Sequence, residues 1–101
     1  MNHEDRQKVL FSSLVLMFHA AAMQQLGKVK NPITDKVEQN LEQAQMSIDM
    51  LDMLRLKTKG NLSAEEERLL NTTLQELKLN YVEEVDKSQM AKSSNEKKEP
   101  S

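Results

Sequence analysis

The sequence predicts an all-α fold, in the form of a three-helix antiparallel bundle with up-down-up order or a helical hairpin unit. The composition is the first observation, because 101 residues contain only two glycines, two prolines and 3% aromatic side chains. Leu, Met, Gln, Glu and Lys, which dominate the rest, favour helices. The two glycines, Gly27 and Gly60, also divide the chain into three segments with helical apolar spacing. This length accommodates one domain.

The first helix is predicted over residues 4–26 and ends at Gly27, because glycine readily takes the positive φ of a helix C′ position. Its apolar residues occupy three sectors: Leu10, Leu14, Met17 and Ala21; Val9, Leu16, Ala20 and Met23; and Phe11, Val15, Phe18 and Ala22. A helix that is apolar on all sides is normally buried on all sides. Two neighbouring helices cover only about half of it, so we expect another molecule to cover the rest.

The second helix is predicted over residues 35–58, starting at a capping box of Asp35 and Glu38 and followed by Gly60 as the C′ residue. It carries one apolar stripe made of Val37, Leu41, Ala44, Ile48 and Leu51. An opposite stripe is made of Met46, Met50, Met53 and Leu54. Two apolar faces indicate that this helix needs neighbours on both sides.

The third helix is predicted over residues 63–85. Ser63 and Glu66 have the spacing of a capping box, in which each side chain bonds the other residue's backbone N–H. The apolar positions form a single narrow seam, typical of an outer helix: Leu70, Leu74, Leu77 and Tyr81. Residues 1–85 are therefore predicted to be the folded domain, and the polar stretch 86–101 a disordered tail.

Charge, cysteine content and hydropathy narrow the classes of function. A net charge of −2 provides no general attraction for nucleic acid. The chain has no cysteine, which is typical of a cytoplasmic protein and leaves no thiolate for catalysis. The apolar run 9–18 is too short to cross a bilayer, and the acidic residues Glu4 and Asp5 disfavour a signal peptide. We expect a cytoplasmic protein for which membrane contact is possible but not favoured.

No set of residues has the spacing of a catalytic or metal site, and we predict no enzyme activity, cofactor or metal. Asp49 and Asp52 lie one helical turn apart, but on a polar edge where a solvated pair is expected. His19 lies among apolar neighbours, where a packed or interface histidine is expected. Two basic clusters, Lys28 with Lys30 and Arg55 with Lys57 and Lys59, are explained as compensation of helix C-terminal dipoles.

The stretch KTKGNL at residues 57–62 is the one candidate for an anion-binding loop. A P-loop needs a glycine-rich turn after a strand and before the lysine, whereas here Gly60 follows the lysines and no strand is predicted. Three glutamates at 65–67 would also repel an anion. Gly60, Asn61, Ser63 and Glu66 are therefore interpreted as a structural turn. Thr58 and Asn61 are the residues that this interpretation uses least, so a ligand at this loop would be expected there.

Much of the sequence resembles the bacterial family known as domain of unknown function 1844. The resemblance extends from Phe11 to Tyr81, and its most specific motifs lie around the second turn and the end of the first helix: Ile48-Asp49, Leu51, Leu54, Lys57-Thr58, Gly60-Asn61-Leu62, Glu66 and Leu26-Gly27. It implies no activity, cofactor or catalytic residue. It does imply that the first helix belongs to the folded domain.

The sequence therefore predicts a helical protein–protein interaction or oligomerisation module whose partner is a second copy, most simply in a dimer, or another helical protein. The predicted interface consists of Phe11, Val15, Leu16, Phe18, His19, Met23, Met46, Met50 and Met53. One alternative is a peripheral membrane protein that places its first helix on lipid. The other is an anion- or nucleotide-binding protein that uses the 57–62 loop.

Overall fold

A computed structural model describes residues 2–98 of the chain. It contains three helices, α1 (His3–Gln25), α2 (Leu41–Lys57) and α3 (Ala64–Lys98), and no β-strand within the described residues. Each helix packs against the other two. The predicted all-α three-helix fold is confirmed.

One stripe from each helix forms the core. The buried apolar residues are Val15, Ala22 and Leu26; Ala44, Ile48 and Leu51; and Leu70, Leu74 and Leu77. The predicted α3 seam therefore faces inward, with Tyr81 packed against its end. For α1, the sector of Val15 and Ala22 faces the core, and Phe11 and Phe18 from the same sector pack beside it. The other two sectors of α1 lie largely outside the core.

The end of α1 has the geometry that Gly27 predicts. Gly27 has a φ of 80°, and its N–H donates to the Gln24 carbonyl at 2.9 Å. The Lys28 N–H reaches back to the Met23 carbonyl at 2.9 Å, which completes a Schellman motif. A Cβ at Gly27 would lie 3.3 Å from the Cβ of Gln39, so close packing as well as φ favours glycine there.

The predicted start of α2 at Asp35 is wrong. Asp35 has a φ of 57°, in the left-handed region, and its N–H donates to the Asn31 carbonyl at 2.7 Å. Asn31 and Lys36 form an isolated antiparallel bridge, closed by the Asn31 N–H on the Lys36 carbonyl at 2.8 Å. Residues 31–36 are thus a tight turn. A helix N-cap has extended backbone dihedrals, which the left-handed conformation of Asp35 does not provide.

The helix α2 instead begins six residues later, after Asn40. Its side-chain Oδ1 accepts the Gln43 N–H at 3.1 Å, which is the bond of an N-cap. Val37 consequently lies in the connection and is exposed, so it is not part of the α2 core stripe. The remaining members of the predicted stripe, Leu41 to Leu51, do face the core.

The helix α3 continues to Lys98, beyond the predicted end near residue 85. The stretch predicted to be a disordered tail is therefore helical over 86–98, and its last three residues lie outside the described part of the chain. The segment 86–98 contains no glycine or proline and consists mainly of residues with good helix propensity. An ion pair of 3.1 Å between Glu84 and Lys87 supports the helix where the apolar seam ends.

Candidate interaction surface

The 57–62 loop is a turn that is closed by local hydrogen bonds of Thr58 and Asn61. Thr58, the C-cap of α2, donates its hydroxyl to the Leu54 carbonyl at 2.7 Å. The Asn61 N–H donates to the Thr58 carbonyl at 2.9 Å, which closes a turn over residues 58–61. Gly60 has a φ of 87° within this turn, but with Thr58 as the C-cap it lies at C″, one residue beyond the C′ position predicted for it. Thr58 is therefore explained by capping.

The start of α3 has the predicted capping box. The Ser63 N–H donates to Glu66 Oε1 at 2.9 Å, and the Glu66 N–H donates to Ser63 Oγ at 3.2 Å. Leu62 packs against the core just before the cap. A groove of about 370 Å³ separates the loop from the start of α1, and it includes Asn61 and the carboxylates of Glu4 and Glu66 among its lining groups. Lys8 and His3 line the groove as well, but the two glutamates offset the charge of the single lysine, so the groove has no net positive charge from these residues to attract an anion.

His19 lies between α1 and α3. Its Nε2 is 3.4 Å from Oε1 of Glu76, but the two atoms are too poorly aligned for a hydrogen bond, and the nitrogen is shielded from solvent. A protonated imidazole at this place would form an ion pair across the α1/α3 groove. His19 is therefore a packed histidine, as expected, and Glu76 of α3 is the charged residue beside it.

The two aspartates of α2 are separately engaged. Asp49 accepts the Gln45 side-chain amide at 2.7 Å. Asp52 accepts Arg55 at 3.0 Å and lies 3.6 Å from Lys78 of α3. The hydrogen bond from Arg55, with a weaker contribution from Lys78, lowers the pKa of Asp52 below its ordinary value. A carboxyl with a lowered pKa stays ionised at neutral pH, which disfavours a role as a proton donor there.

The basic cluster after α1 is part of an interhelical ion-pair network. Lys28 lies 2.9 Å from Glu84 and 3.6 Å from Glu83, both on α3. The hydrogen bond to Glu84 raises the pKa of Lys28, and the same contact, with Lys87 adding to it, lowers the pKa of Glu84. The expected dipole compensation applies to the last turn of α2, where Arg55 and Lys57 lie. It does not explain Lys28, whose partners are carboxylates.

The side of α1 that points away from the core has no covering helix. At about 100° per residue, this side is opposite Val15 and Ala22. We call it the open face, and it consists of Val9, Leu10, Ser13, Leu14, Leu16, Met17 and Ala20. All seven are exposed, and the five large side chains among them are 39% to 69% accessible. Charged residues are absent between Lys8 and the end of α1.

The apolar surface continues onto α2. A groove of about 290 Å³ runs between the two helices, and Leu14, Met17 and Ala21 line it together with Ser47. Beyond the groove, three exposed methionines of α2 form what we call the methionine row: Met46, Met50 and Met53. Among the described residues, ion pairs join α3 to α1, to the connection after it and to α2, but none joins α1 to α2.

The structure divides the predicted interface into three groups. Val15 is fully buried in the core of the single chain, so its assignment to the interface is wrong. The second group is partly buried: Phe11, Phe18 and Met23 pack against the core, and His19 lies beside Glu76 of α3. The exposed members are Leu16 and the methionine row.

Sequence reasoning missed the central residues of the exposed surface. Leu10, Leu14 and Met17 were assigned to a common sector of α1 but not to the interface. Spacing alone does not find them, because the core-facing sector of Phe11, Val15, Phe18 and Ala22 has the same helical 4–3–4 spacing.

The described residues contain neither a metal-binding cluster nor a membrane-spanning helix. No three His, Asp or Glu side chains there are grouped in a way that would hold a metal ion. No helix in that part of the chain is both long enough and apolar enough to pass through a bilayer.

The fold and this surface define a small three-helix protein with a closed core and an uncovered apolar side. Comparison with known families shows that the chain belongs to the family described as "Domain of unknown function (DUF1844)", whose model matches residues 8–83. The match confirms the resemblance noted in the sequence and includes most of α1. No curated protein and no solved structure matches the chain.

Proposed function

We propose that this protein is a cytoplasmic protein–protein interaction module without enzymatic activity, which associates with itself or with another helical protein. The uncovered apolar side of α1 is the observation that supports the proposal. Monomeric proteins seldom expose contiguous apolar patches of more than a few hundred Å², and larger patches usually serve contacts with proteins or membranes. The open face and the methionine row together supply eight large exposed side chains.

The chemistry of this surface favours a protein partner. Methionine side chains are flexible and polarisable, so the methionine row is able to adapt to an apolar partner surface. A helix that lies on lipid needs a strongly charged polar face opposite its apolar one. In α1 the opposite face carries Val15 and Ala22 and packs into the core, so the helix would have to leave the bundle to bind a membrane in that way.

The 57–62 loop provides weaker support for anion binding. Thr58 is engaged in capping, and Glu65, Glu66 and Glu67 occupy the first turn of α3. Their charge interacts favourably with the helix N-terminus, where an added phosphate would meet repulsion.

The test is the state of association of the purified full-length chain, measured by sedimentation velocity over the micromolar range. We expect the chain to associate and the variant Met17→Lys to be monomeric, because a lysine ammonium in an apolar contact would be desolvated without a partner. Met17 is 69% accessible, so the substitution leaves the bundle itself intact, and circular dichroism verifies this.

The matched control is Leu79→Lys, which changes a side chain on α3 that is 63% accessible and lies outside the proposed surface. This variant should associate like the unmodified chain. A cooperatively folded chain that stays monomeric over the whole range contradicts self-association. Flotation of the chain with lipid vesicles, abolished by Met17→Lys, would assign the surface to membrane binding instead.

A further inference from the structure

The side chains along the middle of the open face are symmetrically spaced on α1. Leu10, Ser13, Met17 and Ala20 form this midline, which Arg6 and Gln24 extend at either end, and the successive spacings are 4, 3, 4, 3 and 4 residues. A 4–3 alternation keeps side chains on one side of a helix and is the spacing with which two helices pack along a common seam. The spacing is symmetric about a point level with Val15, the buried residue on the opposite side.

We propose that a second copy of this chain covers the open face, with the two α1 helices antiparallel and related by a two-fold axis at the level of Val15. This inference rests on the proposed function and specifies its partner and geometry. In an isologous contact of this kind, residue i of one copy faces residue j of the other, and j faces i. The axis pairs Leu10 with Ala20 of the second copy, and Ser13 with Met17.

Size complementarity favours this arrangement. The two inner pairs of the antiparallel seam, Leu10 with Ala20 and Met17 with Ser13, each place one large side chain opposite one small one, which favours close packing of the two surfaces. A parallel arrangement in the same register would place Leu10 opposite Leu10 and Met17 opposite Met17. Each small residue would also face its own copy, Ser13 opposite Ser13 and Ala20 opposite Ala20, which would leave a gap between the helices. Unfilled space of this kind costs packing energy.

Charge favours the antiparallel direction as well. The only charged residue along this extended midline is Arg6, and the two-fold axis places it opposite the neutral amide of Gln24. Parallel helices would place two Arg6 guanidinium groups side by side, and like charges repel. Antiparallel packing also sets the dipole of each α1 against the opposite end of the other.

The available area fits a dimer interface. A standard interface buries about 800 Å² per partner, of which about 65% is apolar in homodimers, or roughly 500 Å². Full burial of a large apolar side chain removes roughly 60 to 120 Å² from water. The five large side chains of the open face are about half exposed and provide on the order of 250 Å², and the methionine row, where the apolar surface continues onto α2, brings the available area to on the order of 400 Å². The alanines and the stems of the glutamines add to this.

Cysteine cross-linking tests the register, because the natural chain contains no cysteine. The variants Leu10→Cys and Ala20→Cys are prepared separately, mixed, allowed to exchange subunits and oxidised. Both positions are exposed, so the fold is preserved. In the antiparallel dimer the introduced thiols at positions 10 and 20 face each other. Two thiols at position 10 lie ten residues apart along the helices, or about 15 Å, which is beyond the reach of a disulfide.

We expect the mixture to form several-fold more disulfide-linked dimer than either variant alone, with mass spectrometry identifying the link between positions 10 and 20. The variant Leu79→Cys, mixed with either one, is the control and should form none. Links within each variant alone, without the mixed product, would show a parallel dimer and overturn the proposal. No product at all also overturns it. Sedimentation then separates two cases: a chain that still associates contradicts only the antiparallel geometry, whereas a monomer contradicts self-association as well.

Discussion

The two sides of α1 differ in how far the other helices of the same chain bury them. The inward side is packed by α2 and α3 around Val15 and Ala22, and its border with α3 carries the contact of His19 with Glu76. The outward side is as apolar as a core, yet three-helix packing leaves it in water. Both sides have similar residue types, so burial in the single chain is decided by geometry. Three helices surround one core, and only one of the two apolar surfaces of α1 can face it.

The grooves between the helices differ in the same way, since some are lined by charged side chains and one mainly by apolar side chains. The α2/α3 groove contains the contact of Asp52 with Lys78, and the end of α1 is joined to α3 through Lys28 and Glu84. The α1/α2 groove is lined mainly by apolar side chains such as Leu14 and Met17. Grooves lined by charged side chains are stable in contact with water, whereas a groove lined by apolar side chains is stabilised when a further apolar surface covers it. The side of the bundle remote from α3 is therefore the one that we expect a partner to cover.

The largest effect is expected for a substitution in the buried core. Leu51→Ala removes a fully buried side chain and leaves a cavity, so the free energy of unfolding should fall by about 2 to 5 kcal/mol. Urea denaturation followed by circular dichroism measures this at a concentration at which the chain is monomeric. Leu56→Ala, at an exposed position of the same helix, is the control and should change stability by less than about 0.5 kcal/mol. Equal effects would mean that Leu51 is not in the core.

A smaller effect is expected for the capping box at the start of α3. Ser63→Ala removes the side-chain half of the capping box and should cost about 1 kcal/mol, with a range of about 0.5 to 2. The same denaturation experiment checks it. Thr72→Ala, an exposed position in the middle of α3, should be neutral or slightly stabilising, because alanine has the higher helix propensity. A neutral Ser63→Ala would show that the cap does not contribute to holding α3.

The ends of the elements were predictable where one residue dominates the local geometry. Gly27 and the Ser63–Glu66 pair each specify a backbone conformation through their own chemistry, and the structure has the turns that they predict. The start of α2 was not predictable from Asp35, because the same residue is also a good turn former in the left-handed conformation. The tertiary position of the connection and the competing cap at Asn40 decide between the two. The end of α3 was misjudged because helix propensity persists after the apolar seam ends.

The surface itself was only partly predictable for a different physical reason. An amphipathic helix reveals its inward side because its polar residues mark the opposite one. Most of α1 has no such marking, so Val15 and Leu16 are equivalent in the sequence, although one is buried and the other is exposed. The excess of apolar surface was predictable from composition. Which residues carry that excess depends on how α2 and α3 pack, and only the structure specifies this.

The ion pairs along α3 allow a test by pH. Hydrogen bonds from Lys28 and Lys87 hold the pKa of Glu84 below its ordinary value of 4.5. A lowered pKa in the folded state contributes stability that is complete above the unfolded value and is lost as the pH falls through the folded one. Glu84→Gln should therefore reduce stability at neutral pH by at most about 1 kcal/mol, since both ion pairs lie at the protein surface, where such pairs contribute little.

Urea midpoints at neutral pH and well below 4.5 check this, because the difference between the chain and the Glu84→Gln variant should shrink in acid. Glu83→Gln is the matched control. Its carboxylate lies 3.6 Å from Lys28, compared with 2.9 Å for Glu84, and is more exposed. It should have the smaller effect. A difference for Glu84→Gln that stays constant with pH would attribute its effect to packing.

The smallest expected effect on unfolding belongs to the open face. Met17→Ala removes a side chain that is 69% accessible and replaces it with a better helix former, so the monomer should change by less than about 0.5 kcal/mol. The contrast with Leu51→Ala is informative, because both substitutions truncate a large apolar side chain. At concentrations at which the chain associates, Met17→Ala should lower the apparent stability further, since binding to the folded state stabilises it by mass action. Thermal unfolding across a hundredfold dilution series measures this. A loss of stability that is independent of concentration would show that Met17 stabilises the single chain, and that the two sides of α1 differ less than their exposure indicates.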